Sequence, residues 1–295
     1  MDQWEISRGD HRFKGVKLLI TGGSSYVGQQ LVPAALATGF DVVYTYFLNR
    51  PTLPESAEGV ALDSKNRAEF ESLFERVRPD VVVHLAGSNR SDQMRSVIEE
   101  GAKFICEQAD RLNCRLIHYS TDVVFDGKAA PYREYDLPNP RHAYGHAKFQ
   151  AEKMVSSLKN AVIIRPTLIY GLKVLDRSTE WMLAALRKQE PINLFTDQYR
   201  NPIWIDSLLD LTFKAIDSSY SGVLHAGGGE VLTRAEFGKK LLRYWGVNDF
   251  GKINEVLMPP SAPWPANTTL DTQLTGQLLN IEFPSVEFVL GAHSR

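Results

Sequence analysis

The chain has 295 residues, enough for about two domains of ordinary size. Its composition, 43% hydrophobic and 23% charged, excludes a disordered chain, a fibrous repeat and a small disulfide scaffold. A net charge of −2 and a pI of about 6.4 exclude a general nucleic-acid binder, which needs a basic excess against phosphates.

The first two-thirds alternates short β-like runs with helical stretches. Residues 16–20 (VKLLI) form an apolar run of strand length, followed by a helical pattern at 26–38. A β-branched and aromatic strand at 41–47 and a short one at 60–62 precede a helix at 66–77. Strand 80–85, helix 91–113, strand 115–119, helix 142–158 and strand 161–165 follow. Strands apolar on both faces and separated by helices imply a doubly wound parallel sheet, the Rossmann type of α/β fold. After Pro166 the rhythm changes. A helix at 179–188, strands at 192–195 and 202–205, a helix at 206–218, a strand at 223–226, a helix at 233–245 and a strand at 252–257 are expected. A Pro-rich tail with two short helices ends the chain. The expected division is residues 1–166 as a dinucleotide-binding domain and 167–295 as a smaller α/β substrate lobe packed on it.

Cys106 and Cys114 make no framework and read as reduced thiols. No apolar run approaches the ~20 residues needed to span a bilayer. Residues 1–14 lack a signal-peptide apolar core. A cytoplasmic protein without membrane or nucleic-acid partners is expected, and no carboxylate or Cys/His cluster suggests a metal.

The first strand runs into Thr21-Gly22-Gly23-Ser24-Ser25-Tyr26-Val27-Gly28 and then a helix. Such a strand, glycine turn and helix start aims backbone N–H groups at a pyrophosphate. Gly22 suits the tight turn and Gly28 close helix–strand packing, while Ser25 stands at the usual middle glycine. Strand two ends in Tyr44-Thr45-Tyr46-Phe47-Leu48-Asn49-Arg50 with no acid to bind a ribose 2′-hydroxyl. Arg50, with Asn49 beside it, favours NADP over NAD. Asp63, with Ser64, either meets the adenine or caps the next helix.

Tyr144 and Lys148 lie four apart in a helical pattern and so share a face. Ser120-Thr121-Asp122 sits at the end of a strand that converges on the same cofactor edge. A tyrosine beside an ammonium is a suitable proton donor, and Thr121 is placed to hydrogen-bond a substrate oxygen.

These stretches, with STDVVFDG at 120–127, IIRPTLIYG at 163–171 and RNPIWIDSLLDL at 200–211, carry a resemblance. The chain resembles the extended short-chain dehydrogenase/reductases and, within them, the dTDP-4-dehydrorhamnose reductase-like family. The resemblance implies Thr121, Tyr144 and Lys148 as the catalytic set. It implies Gly22, Ser24, Ser25, Tyr26, Val27, Gly28, Asp63, Leu85, Ala86 and Gly87 as cofactor contacts, with Pro166-Thr167-Leu168 flanking the nicotinamide. Ser88, Asn89, Thr121, Asp122, Asn201 and Trp204 are the substrate-side candidates. Asn201, Trp204 and Asp206 also read as structural, PIWID being a strand end and a helix N-cap.

Besides Ser25 at the middle glycine, the departures fall mostly on the substrate side. After strand four the sequence keeps only Ala86 and Asp92 of the family's marked positions. Ile98 stands where the family often has Asn, and Trp264 where it usually has Arg in R-P-A-N-x-x-L-D. The implied activity is NADP-dependent reduction of a nucleotide-linked 4-keto-6-deoxysugar, with a homodimer as a family-based expectation. A sugar-nucleotide epimerase or dehydratase is an alternative; no Asp-Glu pair follows Thr121 to favour a dehydratase. The other alternative is a non-catalytic NADP-binding partner resembling the β subunit of methionine adenosyltransferase.

Overall fold

A computed structural model describes residues 12–87 and 93–293. In chain order the elements begin β1 (Lys17–Thr21), α1 (Tyr26–Ala37), β2 (Asp41–Tyr46), β3 (Glu58–Ala61), α2 (Arg67–Val77), β4 (Val81–His84), α3 (Met94–Leu112) and β5 (Arg115–Tyr119). A single 3₁₀ turn (Asp122–Val124) leads to α4 (Ala143–Val155), β6 (Ala161–Pro166), β7 (Ile169–Tyr170), α5 (Arg177–Arg187), β8 (Ile192–Phe195), β9 (Tyr199–Arg200) and β10 (Ile203–Trp204). The chain continues with α6 (Ile205–Asp217), β11 (Gly222–Ala226), β12 (Leu232–Thr233), α7 (Arg234–Tyr244), β13 (Ile253–Val256), α8 (Gln273–Leu279) and α9 (Val286–Ala292).

Seven strands form the central sheet in the order β11-β6-β5-β4-β1-β2-β3. The strands are parallel in register: Ile20 lies between Tyr44 and Val83, and His84 lies opposite His118. Strand order reverses between β1 and β4, and a doubly wound sheet binds ligands outside the carboxyl ends of its strands at that point. The expected Rossmann fold is therefore present.

Two compact units share the chain. One comprises residues 1–120, 143–164 and 209–223; the other comprises 121–142, 165–208 and 224–295. The junction at 164/165 lies near the expected boundary, but the units also exchange segments. Thr121 belongs to the second unit, whereas Tyr144 and Lys148 belong to the first.

The first unit buries Leu19, Phe70, Phe74, Ile105, Leu116 and Ile163 in one cluster. Each such side chain stabilises the fold by roughly 1.5–3 kcal/mol over its exposed state. Cys106 and Cys114 lie in the same cluster as free thiols, pushed up to about 12 and about 11 by burial. Arg115 reaches the C-terminal end of α6, where its guanidinium donates to Ala215 O at 2.6 Å and Tyr220 O at 2.8 Å. A cation there satisfies carbonyls that a helix end leaves unpaired. The second unit has its own cluster of Met182, Leu183, Ile192, Leu194 and Leu242 around paired strands β8 and β13.

Differences from the expected elements are local. Helix α6 starts at Ile205, so Asp206 lies inside its first turn and is not an N-cap. Strands β7, β9 and β12 span two residues each, too short to show an alternating pattern. Residues 91–92 at the expected start of the third helix lie outside the described residues. Among the described residues no helix is long and apolar enough to cross a membrane.

Candidate active site

The glycine loop is built around close backbone contacts. Gly22 has φ +77, and a Cβ there would stand 2.9 Å from Ala86 N. A Cβ at Gly28 would lie 2.5 Å from Gly22 O. Neither obstacle is a flexible side chain, so both positions require glycine. Ser25 does not need to be glycine: its φ is −70, it caps α1, and its hydroxyl accepts from Gly28 N at 3.0 Å. A serine at the middle position thus turns a departure into a helix cap. Ser24 is exposed at the tip, and Tyr26 and Val27 open the helix.

Two residues that the sequence reading passed over hold this loop. Thr45 accepts from Gly22 N through its hydroxyl at 3.2 Å and from Gly23 N through its carbonyl at 2.7 Å. The buried Tyr44 ring runs from Gly23 to Gly59; a Cβ at either would come within 2.6 Å and 2.5 Å of it, respectively. Only the parallel register of β1, β2 and β3 brings these positions together. Arg50 is exposed beside the Tyr44 hydroxyl, whose hydrogen bond raises its pKa; Asn49 is exposed next to it. Asp63 is not the helix cap. Asn66 caps α2 by accepting from Glu69 N, while Asp63 Oδ1 accepts from Lys65 N at 3.0 Å. Ser64 lies in ordinary contact distance of the position a Cβ at Gly101 would take.

At the end of β4, Leu85 N donates to Thr21 O, and Ala86 closes on Gly22. Gly87 has φ +134, and a Cβ there would meet Ile98 at 2.9 Å and Lys148 Nζ at 3.4 Å. Ile98, where the family often has Asn, is thus an apolar wall below the site. Ser88 and Asn89 lie outside the described residues.

Lys148 is buried on α4, and its ammonium donates to Tyr119 O at 2.9 Å. Burial lowers its pKa to about 8, opposed by the charge of Glu152 one turn on. Glu152 in turn accepts from the Ser120 hydroxyl. His84 and His118 stack 5.2 Å apart near Lys148. Burial first, then the lysine charge, drives both imidazoles down, His84 to about 3. They stay neutral at physiological pH, leaving the local positive charge on Lys148. Tyr144, half-buried, packs against Ile98, Ala102, Ala147 and Ala151. The first unit therefore brings together Gly22, Gly28, Ala86, Gly87 and Lys148.

The second unit holds the remaining candidates. Thr121 caps the 3₁₀ turn and is 8% exposed. Asp122 forms an ion pair with Arg200, Nε to Oδ2 3.0 Å, with both side chains under a tenth exposed. Asn201 donates to Leu270 O at 2.9 Å and accepts from Leu270 N at 3.1 Å. Its carbonyl takes the Thr167 hydroxyl at 2.5 Å, so Thr167 is engaged by protein. Pro166 ends β6, and Leu168 O accepts from Ile203 N. Trp204 is 5% exposed and packs edge-on against His293. Asp206 has a raised pKa from burial and lies 4.0 Å from Lys173. Asp122 and Asn201 thus bond to protein groups, Trp204 packs on His293, and Asp206 stands at ion-pair distance from Lys173. Among the described residues no group of three metal-binding side chains occurs.

The glycine cradle and the capped start of α1 fit a dinucleotide. Comparison with known proteins agrees. The model of the RmlD substrate binding domain family matches residues 16–291. The chain is similar to a probable low-salt glycan biosynthesis reductase from Haloferax volcanii, 27% identical, over 92% of this chain and 95% of that protein. It is 26% identical to methionine adenosyltransferase 2 subunit beta of Xenopus tropicalis, over 79% and 73% of the two chains. In fold it is similar to dTDP-4-dehydrorhamnose reductase from Bacillus anthracis in complex with NADP, with TM-score 0.78, 24% identity, and coverage of 93% and 97%. It is similar also to the Bordetella bronchiseptica enzyme WbmH in complex with NAD+, with TM-score 0.84, 20% identity, and coverage of 94% and 96%. A family match along nearly the whole chain, on a fold whose glycine cradle and buried lysine meet at the switch point of the sheet, places it: the chain belongs to the RmlD substrate-binding-domain family of the extended short-chain dehydrogenase/reductases.

Proposed function

We propose that the protein is an NADP-dependent reductase of a nucleotide-linked 4-keto-6-deoxysugar, acting in the cytoplasm. The observation that carries this is the placement of Lys148. Its ammonium is pinned by Tyr119 O, lies beside Gly87 at the end of β4, and stands one helical turn from Tyr144. A nicotinamide bound along the Gly22–Gly28 cradle would supply the hydride for C4 of the sugar.

The chain's own residues manage the proton and the geometry. Tyr144 holds the proton delivered to the C4 oxygen. Lys148, protonated at neutral pH, favours the phenolate left behind and can also hold a ribose hydroxyl. Thr121 hydrogen-bonds the sugar. Gly22, Gly28 and the first turn of α1 carry the pyrophosphate, and Arg50 and Asn49 meet the 2′-phosphate. Arg50 supports NADP over NAD because an exposed guanidinium, with no acid among residues 44–50, pairs with a phosphate.

The test is consumption of NADPH with a panel of dTDP-linked 4-keto-6-deoxysugars, each with and without the matching 3,5-epimerase. Turnover on one of them is expected. Tight NADPH binding without turnover on any would favour the partner-subunit reading, for which similarity to a methionine adenosyltransferase β subunit is the support.

A further inference from the structure

The second unit holds Arg234 against its electrostatic preference. Strands β9 and β12 pair antiparallel, with Leu232 opposite Arg200 and Thr233 opposite Tyr199. Arg234 N continues that register by donating to Gln198 O at 2.9 Å. Thr233 caps α7 through a capping box with Glu236, which makes Arg234 the first residue of the helix. Helix α5 packs beside α7: a Cβ at Gly238 would lie 3.2 Å from Met182 Sδ. The Arg234 guanidinium thereby reaches the first turn of α5, where Nη2 donates to Ser178 Oγ at 2.9 Å.

Several effects oppose a cation at this place. A helix start carries partial positive charge. Burial first, then the charge of Arg200, lowers the Arg234 pKa to about 10, so the group stays protonated at neutral pH. Asp176 and Asp122 act on it from a distance. Asp176 accepts from Ser178 N and Thr179 N at 2.9 and 3.1 Å, and Asp122 pairs with Arg200. Glu236 accepts from Thr233 N at 2.8 Å. Among the described residues no carboxylate stands at ion-pair distance from Arg234, and its guanidinium donates to Ser178 alone. A guanidinium has five N–H donors, and a buried charge is ordinarily paired. The residue keeps intermediate exposure, so the group is recessed but not sealed.

We infer that Arg234 and Ser178 form a phosphoryl-binding subsite in the second unit, separate from the glycine cradle of the first. The guanidinium supplies a fork of N–H groups suited to phosphate oxygens. The Ser178 hydroxyl accepts from Arg234 and keeps its own proton for a phosphoryl oxygen. The first turns of α5 and α7 add two positive helix ends. The occupant is a phosphoryl group of the nucleotide sugar, a clause that rests on the reductase reading; a free phosphate ion has the same chemistry. The diphosphate joins the sugar at its anomeric carbon, away from C4, so Arg234 sets affinity and KM more than kcat.

Calorimetric titration of the full chain tests this, with NADPH saturating so that the cradle of the first unit is filled. The probes are dTDP, UDP, their nucleosides and inorganic phosphate. Arg234→Met weakens the nucleoside diphosphate that binds by about 10–100-fold, the scale of hydrogen bonds to a charged group, and leaves its nucleoside unchanged. Arg234→Lys recovers only part of that loss, because an ammonium lacks the fork. If the variant loses inorganic phosphate while the diphosphates bind as before, the subsite stands and its occupant is a free phosphate ion. Phosphorylated probes that bind wild type and Arg234→Met equally, or bind neither, would overturn the inference. Thermal unfolding adds a control for folding: the diphosphate raises the melting temperature of the wild type more than that of Arg234→Met. A lower melting temperature with an unchanged ligand shift would mark a structural arginine and overturn the inference. The two readings separate cleanly. Turnover of a keto sugar with a KM indifferent to Arg234→Met would leave the proposed function standing and remove the subsite. Diphosphate binding that depends on Arg234, without turnover of any keto sugar, would do the reverse.

Discussion

The glycine loop of the first unit and the Asp122–Arg200 region of the second are both tightly packed, but by opposite means. The loop is made of backbone: Gly22, Gly28 and Ala86 approach so closely that a single added carbon collides with an amide or a carbonyl. The second region is made of side chains: one guanidinium, one carboxylate, two hydroxyls and the Asn201 amide tie residues 121–122, 199–201 and 265–270 together. Backbone-built sites demand particular small residues at fixed spacings. Side-chain networks demand only that complementary groups arrive from distant parts of the chain. The first kind leaves a motif, and the second leaves scattered polar residues that look available for ligands.

The largest effect should come from the chemical step itself. Tyr144→Phe lowers turnover by about 10²–10⁴-fold, the contribution of a positioned general acid, while fluorescence titration shows NADPH affinity nearly unchanged. Retained turnover would remove Tyr144 as proton donor.

Next come two substitutions that set the regions against each other. Asn201→Leu strands Leu270 N, Leu270 O and Gly228 O in a buried place and should cost about 2–4 kcal/mol in urea unfolding, with NADPH binding preserved. Gly28→Ala should cost about 1–3 kcal/mol through overpacking, and it should weaken NADPH as well, because the obstacle is the backbone of the proposed cofactor loop. If Asn201→Leu abolished NADPH binding and Gly28→Ala did not, the division between a backbone-built cofactor site and a side-chain-built brace would fail.

The pH dependence of stability sharpens the comparison on the Lys148 side. Folding lowers the pKa of Lys148 from 10.5 to about 8. Between those values the unfolded chain binds more protons than the folded one, so stability rises with pH there. The cost of burying the ammonium is present in full below about 8 and is relieved above it. Wild-type protein should therefore gain on Lys148→Met as pH rises past about 8, measured by thermal unfolding. An unchanged difference across that window would contradict a buried, charged Lys148. The smallest effect is expected at the surface. Arg50→Ala should weaken NADPH several-fold and leave NADH little changed; equal losses would dismiss Arg50 as a reader of the 2′-phosphate.

Much of the first unit was legible in the sequence. Strands of four to six residues with β-branched apolar runs and helices of 11 to 19 residues carry a strong period, so the doubly wound order could be read directly. The 22–28 loop was legible because glycine is required where φ is positive or two backbones touch. The i, i+4 spacing of Tyr144 and Lys148 was equally visible. Thr45 and Tyr44, which hold the loop, were not, since only strand register brings them under Gly22 and Gly23.

The second unit shows where local pattern runs out. Asp122, Asn201 and Trp204 carry the residue types of a polar or aromatic ligand site, and each also meets a distant protein group. Asp122 pairs with Arg200, far along the chain; Asn201 braces Leu270 across 69 residues; Trp204 packs on His293. Sequence by itself determined what local physics governs: the helices, the longer strands, the glycine turn and the shared face of a tyrosine and a lysine. Tertiary structure alone decided which distant groups each polar side chain meets. A hydrogen bond or ion pair is satisfied by whichever group lies within about 3 Å in space, however far away in the chain.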